Sequence, residues 1–332
     1  MSALRRTTEG MIEMKKVFVA GHRGLVGSAT MGALGALDSY EVITRTHSEL
    51  DLSDRVATRA FFMDEKPDYV VMCAAKVGGI LANSSLPVDF LHENLAIQLS
   101  VFDAAHAAGI ERMIFLGSSC IYPRDCPQPI REDYLLTGPL EGTNRPYALA
   151  KIAGVESCWS FNRQYQARYL ALMPTNMYGP GDNYHPEHSH VLPALIRRFH
   201  QAKLNADPSV MVWGSGKPRR EFMYSADLGN AIVFLLGLPD AEFDALTRPD
   251  VAPLVNVGVG EDITIRELAE LVKATVGYSG ELTFDATKPD GTPRKLLDVQ
   301  RLNSFGWKAS TPLEVGVRAA YEDFVNNHAT AG

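Results

Sequence analysis

The chain predicts an α/β protein, a doubly wound parallel sheet with a smaller C-terminal substrate-binding lobe. Three observations carry that reading. Short β-rich apolar runs alternate with helix-period segments through the first half. Most of those runs do not alternate apolar with polar, which is how strands covered on both faces read. A glycine-rich turn directly follows the first run.

Residues 17–20, 41–44, 69–73, 113–116 and 168–173 read as strands. Helical periodicity occupies 25–37, 56–64, 87–109 and 146–166 between and before them. This alternation is the pattern of a parallel sheet wrapped by its crossover helices. Past residue 180 the pattern loosens. A basic helix over 191–201 leads into the Gly-rich "WGSGKPRREF" at 213–222. A helix over 225–238, a buried strand over 254–260 and a helix over 264–277 follow, and then "KPDGTPRKLLD" at 288–298. The expected division is a nucleotide-binding domain over 15–180, with segments around 223–261 returning to it. Residues 181–222 and 262–328 would form the substrate lobe, and 1–14 a flexible tail.

At 332 residues the chain makes one large domain or two smaller ones. Hydrophobic residues at 46% and charged residues at 21% place it with ordinary globular proteins. No apolar run nears the ~20 residues that span a bilayer, and the N-terminus lacks the apolar core of a secretory signal. Neither a membrane nor a nucleic-acid partner is expected, because a formal net charge of −7 lacks the basic surface that nucleic acid requires. An anionic small ligand would need a local basic cluster working against that charge. Cys73, Cys120, Cys126 and Cys158 show no metal-ligand spacing and read as reduced thiols of a cytoplasmic protein.

In "VFVAGHRGLVGSA", Gly21, Gly24 and Gly27 lie between the first strand and the first helix. Glycines there let the backbone turn and approach a pyrophosphate at the helix N-terminus, with Leu25 and Val26 in the same loop. The sheet is therefore expected to be Rossmann-type. The second strand ends in "ITRTHSELDL", where an NAD site would carry a carboxylate for the ribose 2′-hydroxyl. Arg45 and His47 stand there instead, and Arg23 lies in the loop. Guanidinium suits a 2′-phosphate, so the expected cofactor is NADP(H). Arg45 has a second reading as a solvated charge. Asp51 reads as an acceptor for the adenine amino group, with Leu52 beside it. Leu116, Gly117 and Ser119 at the fourth strand's end are placed near the cofactor too.

"NRPYALAKIAG" sets Tyr147 and Lys151 one helical turn apart, with Asn144 as the expected N-cap and Pro146 in the first turn. A neighbouring ammonium is expected to lower the tyrosine pKa toward the working pH, suiting it to protonate a carbonyl oxygen. Ser118 in "GSSCIYP" stands at the ligand-binding edge of the fourth strand. Cys120 follows it, and His190 sits in "PEHSHVLPALIRRF". A thiolate and an imidazole can remove and return protons beside a ketone, which is epimerisation. Each also has a plainer reading, Cys120 as core packing and His190 as loop surface. His185, His188 and His190 lack the carboxylate or helical frame of a metal site, and no metal is expected.

The Ser118, Tyr147 and Lys151 arrangement resembles the short-chain dehydrogenase/reductase superfamily in its extended branch. "AGHRGLVGSA", "AAKVGGI", "LGSSCIYP", "PYALAKIAG", "MPTNMYGPGDNYHPEHSHVLPALIRRFH", "VWGSGKPRREF" and "KPDGTPRKLLD" resemble the GDP-L-fucose synthase family across residues 15–325. That resemblance implies NADP(H) and conversion of GDP-4-dehydro-6-deoxy-D-mannose to GDP-L-fucose, by C3 and C5 epimerisation and then C4 reduction. It implies that Ser118, Tyr147 and Lys151 form the reductase triad, with Cys120 and His190 as epimerisation base and acid. Lys151, His190 and Pro174, Thr175, Asn176 and Met177 would lie near the cofactor. Arg198, Trp213, Arg220, Asp290 and Lys295 would hold the GDP-sugar, and the three cations match the basic cluster such an anion needs. A homodimer is implied, through the helix carrying Tyr147 and its neighbour. Some members carry a second arginine where His47 stands, so a weaker NADP preference is expected here. The alternatives are a sugar-nucleotide 4-epimerase or 4-reductase without C3/C5 chemistry, and a non-catalytic NADP sensor.

Overall fold

The computed structural model describes residues 14–186, 188–288 and 290–329, so the tail expected over 1–14 lies outside it save for Met14. The first half runs β1 (Lys15–Ala20), α1 (Leu25–Gly35), β2 (Tyr40–Ile43), α2 (Arg55–Glu65), β3 (Tyr69–Met72), α3 (Ile80–Ser85), α4 (Pro87–Ala108), β4 (Arg112–Leu116), α5 (Arg145–Tyr165) and β5 (Tyr169–Pro174). There follow β6 (Asn176–Tyr178), α6 (Val191–Asn205), β7 (Ser209–Trp213), β8 (Arg219–Arg220), β9 (Phe222–Tyr224), α7 (Ser225–Leu236), α8 (Asp240–Leu246) and β10 (Leu254–Val257). The chain closes with β11 (Ile263–Thr264), α9 (Ile265–Val276), β12 (Glu281–Asp285), β13 (Arg294–Lys295), α10 (Gln300–Ser304) and α11 (Leu313–Asn327).

Six parallel strands form the central sheet in the order β10-β5-β4-β3-β1-β2. Every residue of β3 and β4 is buried, which explains why "YVVM" and "RMIFL" show no alternation. On one face Phe62 from α2, Phe102 from α4 and Val155 from α5 pack over Phe18, Val70 and Phe115. On the other, Leu34 from α1 and Leu228 and Ile232 from α7 pack over Val17, Val71 and Ile114. Gly229 allows α7 to lie close on α1, since a Cβ there would come 2.5 Å from the Ala29 carbonyl oxygen.

A separate core gathers Ile196 and Phe199 of α6, Val210 and Val212 of β7, Leu268 and Val272 of α9, and Val317 and Phe324 of α11. The reciprocal box of Thr264 and Glu267 starts α9, and Gly277 at φ +71° ends it. The strand expected over 254–260 is the four-residue β10, the sixth member of the main sheet. The strand order reverses between β1 and β3, the crevice where open α/β sheets bind ligands.

Candidate active site

β1 delivers the glycine loop to that crevice. Gly21 adopts φ +82°, and a Cβ on it would lie 2.7 Å from the Ala74 amide nitrogen, so the turn accepts only glycine. Gly27 is equally constrained, its Cβ falling 2.1 Å from the Gly21 carbonyl oxygen. Gly24, the N-cap of α1, differs: its φ is −76° and the nearest atom to a Cβ is 3.6 Å away. Protein packing does not demand glycine at 24, whereas close approach by a ligand would.

The cofactor-discriminating end of β2 is more crowded with carboxylates than residues 45–47 suggest. Arg45 pairs with Glu65 of α2 at 2.5 Å, donates to the Thr44 carbonyl at 2.8 Å and stacks on Phe61 at 5.0 Å. The Thr46 amide and hydroxyl, with the charges of Arg45 and Arg23 behind them, hold the Glu49 carboxyl below its usual range. His47 is largely solvated, with its Nδ1 3.9 Å from Asp51, whose Oδ1 accepts from the amide and hydroxyl of Ser53. Arg23 is exposed on the loop. Arg45 is partly exposed and held by Glu65, which the fold brings onto it from a distant helix.

β4 carries the next group. Ser118 ends the strand in extended backbone, and its Oγ accepts from the Cys120 amide at 3.2 Å, opening a short helical turn over Ser119–Ile121. Leu116, Gly117 and Ser119 are buried at this edge. Opposite lies α5, begun by Arg145 and Pro146. Asn144 occupies the N-cap position without making the expected side-chain cap, and its buried Oδ1 has no hydrogen-bond partner. Pro146 has no N–H, so one orphan donor of the first turn is missing.

Tyr147 and Lys151 face the end of β4 from successive turns. The Lys151 Nζ donates to the Leu116 carbonyl at 2.7 Å and lies 5.8 Å from the Tyr147 ring centre. The expected lowering of the tyrosine pKa does not hold. Burial pushes Tyr147 up, the Cys120 sulfur adds to this, and a hydrogen bond with Ser118 opposes them. Burial also lowers Lys151 to about 8, against an ordinary value of 10.5, with the neighbouring Cys73 opposing. Both side chains are desolvated together, and burial disfavours the charged form of each.

Across the cleft, Lys295 of β13 donates to the Cys120 sulfur at 3.5 Å. His190 occupies the N-cap position of α6 without a side-chain cap and is exposed at the cleft's rim, where the surrounding protein, then the Lys295 charge, hold its imidazole below the usual range. Burial lowers the Arg220 guanidinium, while Asp290 and Cys120 act on it from nearby in the opposite sense. Cys120, His190, Arg220 and Lys295 thus meet around one opening.

The other predicted substrate positions are more scattered. Arg198 is exposed on α6, and its neighbour Arg197 is fixed to the Tyr184 carbonyl at 3.0 Å. Trp213 is 65% exposed, with the Lys288 ammonium 5.4 Å from its ring. Asp290 accepts from the Ser215 amide at 2.6 Å and hydroxyl at 2.8 Å, so it ties down the Gly-rich loop. After β5, Thr175 is buried, and the Asn176 side chain donates to the Glu221 carbonyl at 2.8 Å. Pro174 and Met177 are half-buried beside them.

Sequence reasoning missed Glu221, hidden as one charge in "KPRREF", although its carboxylate is wholly buried. It also missed that residues 296–298 are strapped to the loop after Cys120. The one legible signal of Glu221 was an acidic residue set between two arginines and the apolar pair Phe222-Met223.

The chain matches the NAD dependent epimerase/dehydratase family over residues 17–246. GDP-L-fucose synthase of Escherichia coli (strain K12) is 49% identical over 313 residues, covering 94% of this chain and 97% of that protein. The chain belongs to this family, in its GDP-L-fucose synthase branch. Probable GDP-L-fucose synthase 1 of Oryza sativa subsp. japonica, from the same branch, is 52% identical over 94% of this chain and 92% of its own. The solved GDP-mannoheptose C4 reductase MlghC of Campylobacter jejuni, with NADP bound, superposes at TM-score 0.85 with 34% identity, over 96% of this chain and 100% of that one. Membership of the branch agrees with the Rossmann-type sheet, and no helix among the described residues is long and apolar enough to cross a membrane.

Proposed function

We propose that this chain converts GDP-4-dehydro-6-deoxy-D-mannose to GDP-L-fucose, epimerising C3 and C5 and reducing the C4 ketone with NADPH. The observation that carries the reading is the lysine ammonium against the Cys120 sulfur, beside a Ser–Tyr–Lys group that a simple reductase would use alone. The loop of Gly21, Gly24 and Gly27 fits a pyrophosphate, and Arg23 is the guanidinium left open for a 2′-phosphate once Glu65 engages Arg45. Bound there, NADPH supplies the hydride for C4.

The C4 ketone acidifies the hydrogens on C3 and C5. Cys120 removes each in turn as thiolate, the form that acts as base, with the Lys295 cation as its counter-charge. His190, whose low basicity makes its protonated form a strong donor, returns a proton from the opposite face. The Cys120 thiol then loses its proton to solvent and His190 regains one, so both groups are reset before the second carbon reacts. Ser118 and Tyr147 hydrogen-bond the developing enolate oxygen. Tyr147, kept protonated by burial, gives its proton to the C4 oxygen as hydride arrives, and Lys151 holds its place in the stack. Arg198, Arg220 and Lys295 carry the diphosphate side of the substrate, and Trp213 offers an apolar face. Residues 15–180 with 223–261 serve the cofactor, and 181–222 with 262–328 serve the sugar nucleotide. The enzyme works as a homodimer through α4 and α5, in the cytoplasm, where its four free thiols are at home.

The competing reading is a C4 reductase without epimerisation, the activity named for MlghC. Incubation with substrate in deuterium oxide without NADPH separates the two. Deuterium enters C3 and C5 with the wild type, and Cys120→Ala slows that entry by about a hundredfold or more. An enzyme that reduces C4 but admits no deuterium at either carbon is the reductase.

A further inference from the structure

Glu221, between β8 and β9, is wholly buried, and no lysine or arginine pairs with it among the described residues. Three backbone amides satisfy it instead. Oε1 accepts from Val259 at 2.6 Å and Gly260 at 2.7 Å, and Oε2 accepts from Leu297 at 3.0 Å. The turn is wrapped closely round the carboxylate, since a Cβ on Gly258 would fall 2.3 Å from Oε1. Burial raises the Glu221 pKa, and these amide donors, together with the Thr175 side chain, oppose it.

The Leu297 amide belongs to a segment gripped from its other side as well. Leu296 donates to the Gln128 side-chain oxygen at 2.8 Å, Ile130 donates to the Leu296 carbonyl at 2.7 Å, and Asp298 donates to the Ile130 carbonyl at 2.8 Å. Two residues before Leu297, the Lys295 side chain crosses to the Cys120 sulfur at 3.5 Å. No carboxylate holds that ammonium among the described residues, so its reach is set by where its backbone starts. A four-carbon stem loses much rotamer freedom to hold one contact, which makes a fixed origin matter.

We propose that Glu221 is a positioning residue, which through the Leu297 amide fixes the strand from which the Lys295 ammonium meets the Cys120 sulfur. The inference rests on the reading of Cys120 as the epimerisation base. Glutamine at 221 keeps one acceptor oxygen, enough for the paired amides of Val259 and Gly260. Its NH₂ then faces the Leu297 N–H, donor against donor, and the anchor of segment 296–298 is lost.

The test compares Glu221→Gln, Lys295→Met and the double variant in the intact enzyme. The first readout is alkylation of Cys120 by iodoacetamide at pH 7, corrected with Cys120→Ala; the second is deuterium entry at C3 and C5. Each single variant is expected to slow alkylation about tenfold, because alkylation follows the thiolate. The double variant is expected to be no slower than Lys295→Met alone, because one residue acts through the other. The Glu221 backbone carbonyl, which accepts from Thr175 at 3.2 Å and Asn176 at 2.8 Å, is kept in Glu221→Gln, so NADPH affinity is expected to fall less than alkylation does. Unchanged alkylation in Glu221→Gln, or losses that simply multiply in the double variant, overturn the proposal. If Glu221→Gln does not fold, Gln128→Ala loosens the same segment through Leu296. It should slow alkylation in the wild-type background and not in Lys295→Met; any other pattern counts against the proposal. Should Cys120→Ala leave deuterium entry intact, the base assignment fails while the alkylation comparison still decides the positioning.

Discussion

The Lys151 ammonium is buried between the Phe115 ring, the Leu116 carbonyl and Tyr147, and that burial lowers its pKa to about 8. For a base with a depressed folded-state pKa, the unfolded chain holds the proton more tightly. Below pH 8 the buried charge is present in full and opposes folding. Between pH 8 and the ordinary 10.5 the folded chain releases its proton first, so this residue's contribution to stability rises with pH. Lys151→Met should therefore raise unfolding stability at pH 7 by about 1–3 kcal/mol and remove that stretch of pH dependence, while C4 reduction is lost. Urea unfolding of both proteins at pH 7 and pH 10 measures it; a variant less stable than wild type at pH 7 contradicts the account. Tyr147 and Lys151 were legible because helical spacing is local. Their desolvation was not, because it depends on Phe115 and Leu116 arriving from another strand. The Lys295 contact to Cys120 spans 175 positions and leaves no periodic trace.

At the scale of elements, the strands announced themselves by unbroken apolar runs, and the structure supplies the reason in their two covered faces. Less visible were the short pairings, β6 with β9 and β7 with β12, whose strands of three to five residues carry too few side chains to show a period. The place of β10 beside β5 was also hidden, since nothing in "LVNV" names its neighbour. The close crossing of α1 and α7 makes a test by contrast. Gly229→Ala forces a Cβ to within 2.5 Å of a backbone oxygen of α1 and should destabilise by about 1–3 kcal/mol. Gly32→Ala, on α1 itself, meets nothing within 4 Å and should stabilise by about 0.5–1 kcal/mol. Thermal unfolding of the pair decides it, and a similar shift in both would show that the crossing tolerates the added carbon.

At the scale of the molecule, two cores divide the labour. The sheet core supports the glycine loop and the Ser–Tyr–Lys group, and the core of α6, α9 and α11 supports the arginines. Their join is where Cys120 and Lys295 meet, so the site is complete only when both are folded. Leu99 on α4 and Leu149 on α5 are 53% and 41% exposed, apolar groups on the face proposed to pair with a second copy. Sedimentation should find the wild type dimeric at micromolar concentration and Leu99→Asp monomeric; a monomeric wild type removes the proposed interface.

The sixth strand has a consequence for how the chain must be made. β5 ends at residue 174, while its outer partner β10 begins at 254. While a ribosome is still translating the stretch between them, β5 offers a bare hydrophobic edge of unpaired amides and carbonyls, the template for misassociation between nascent chains. That edge stays open until the whole of the arginine-bearing helix and the α7 cover have been synthesised. A gene fragment cut to the apparent nucleotide half would keep the edge open for good, and would report on aggregation rather than on cofactor binding.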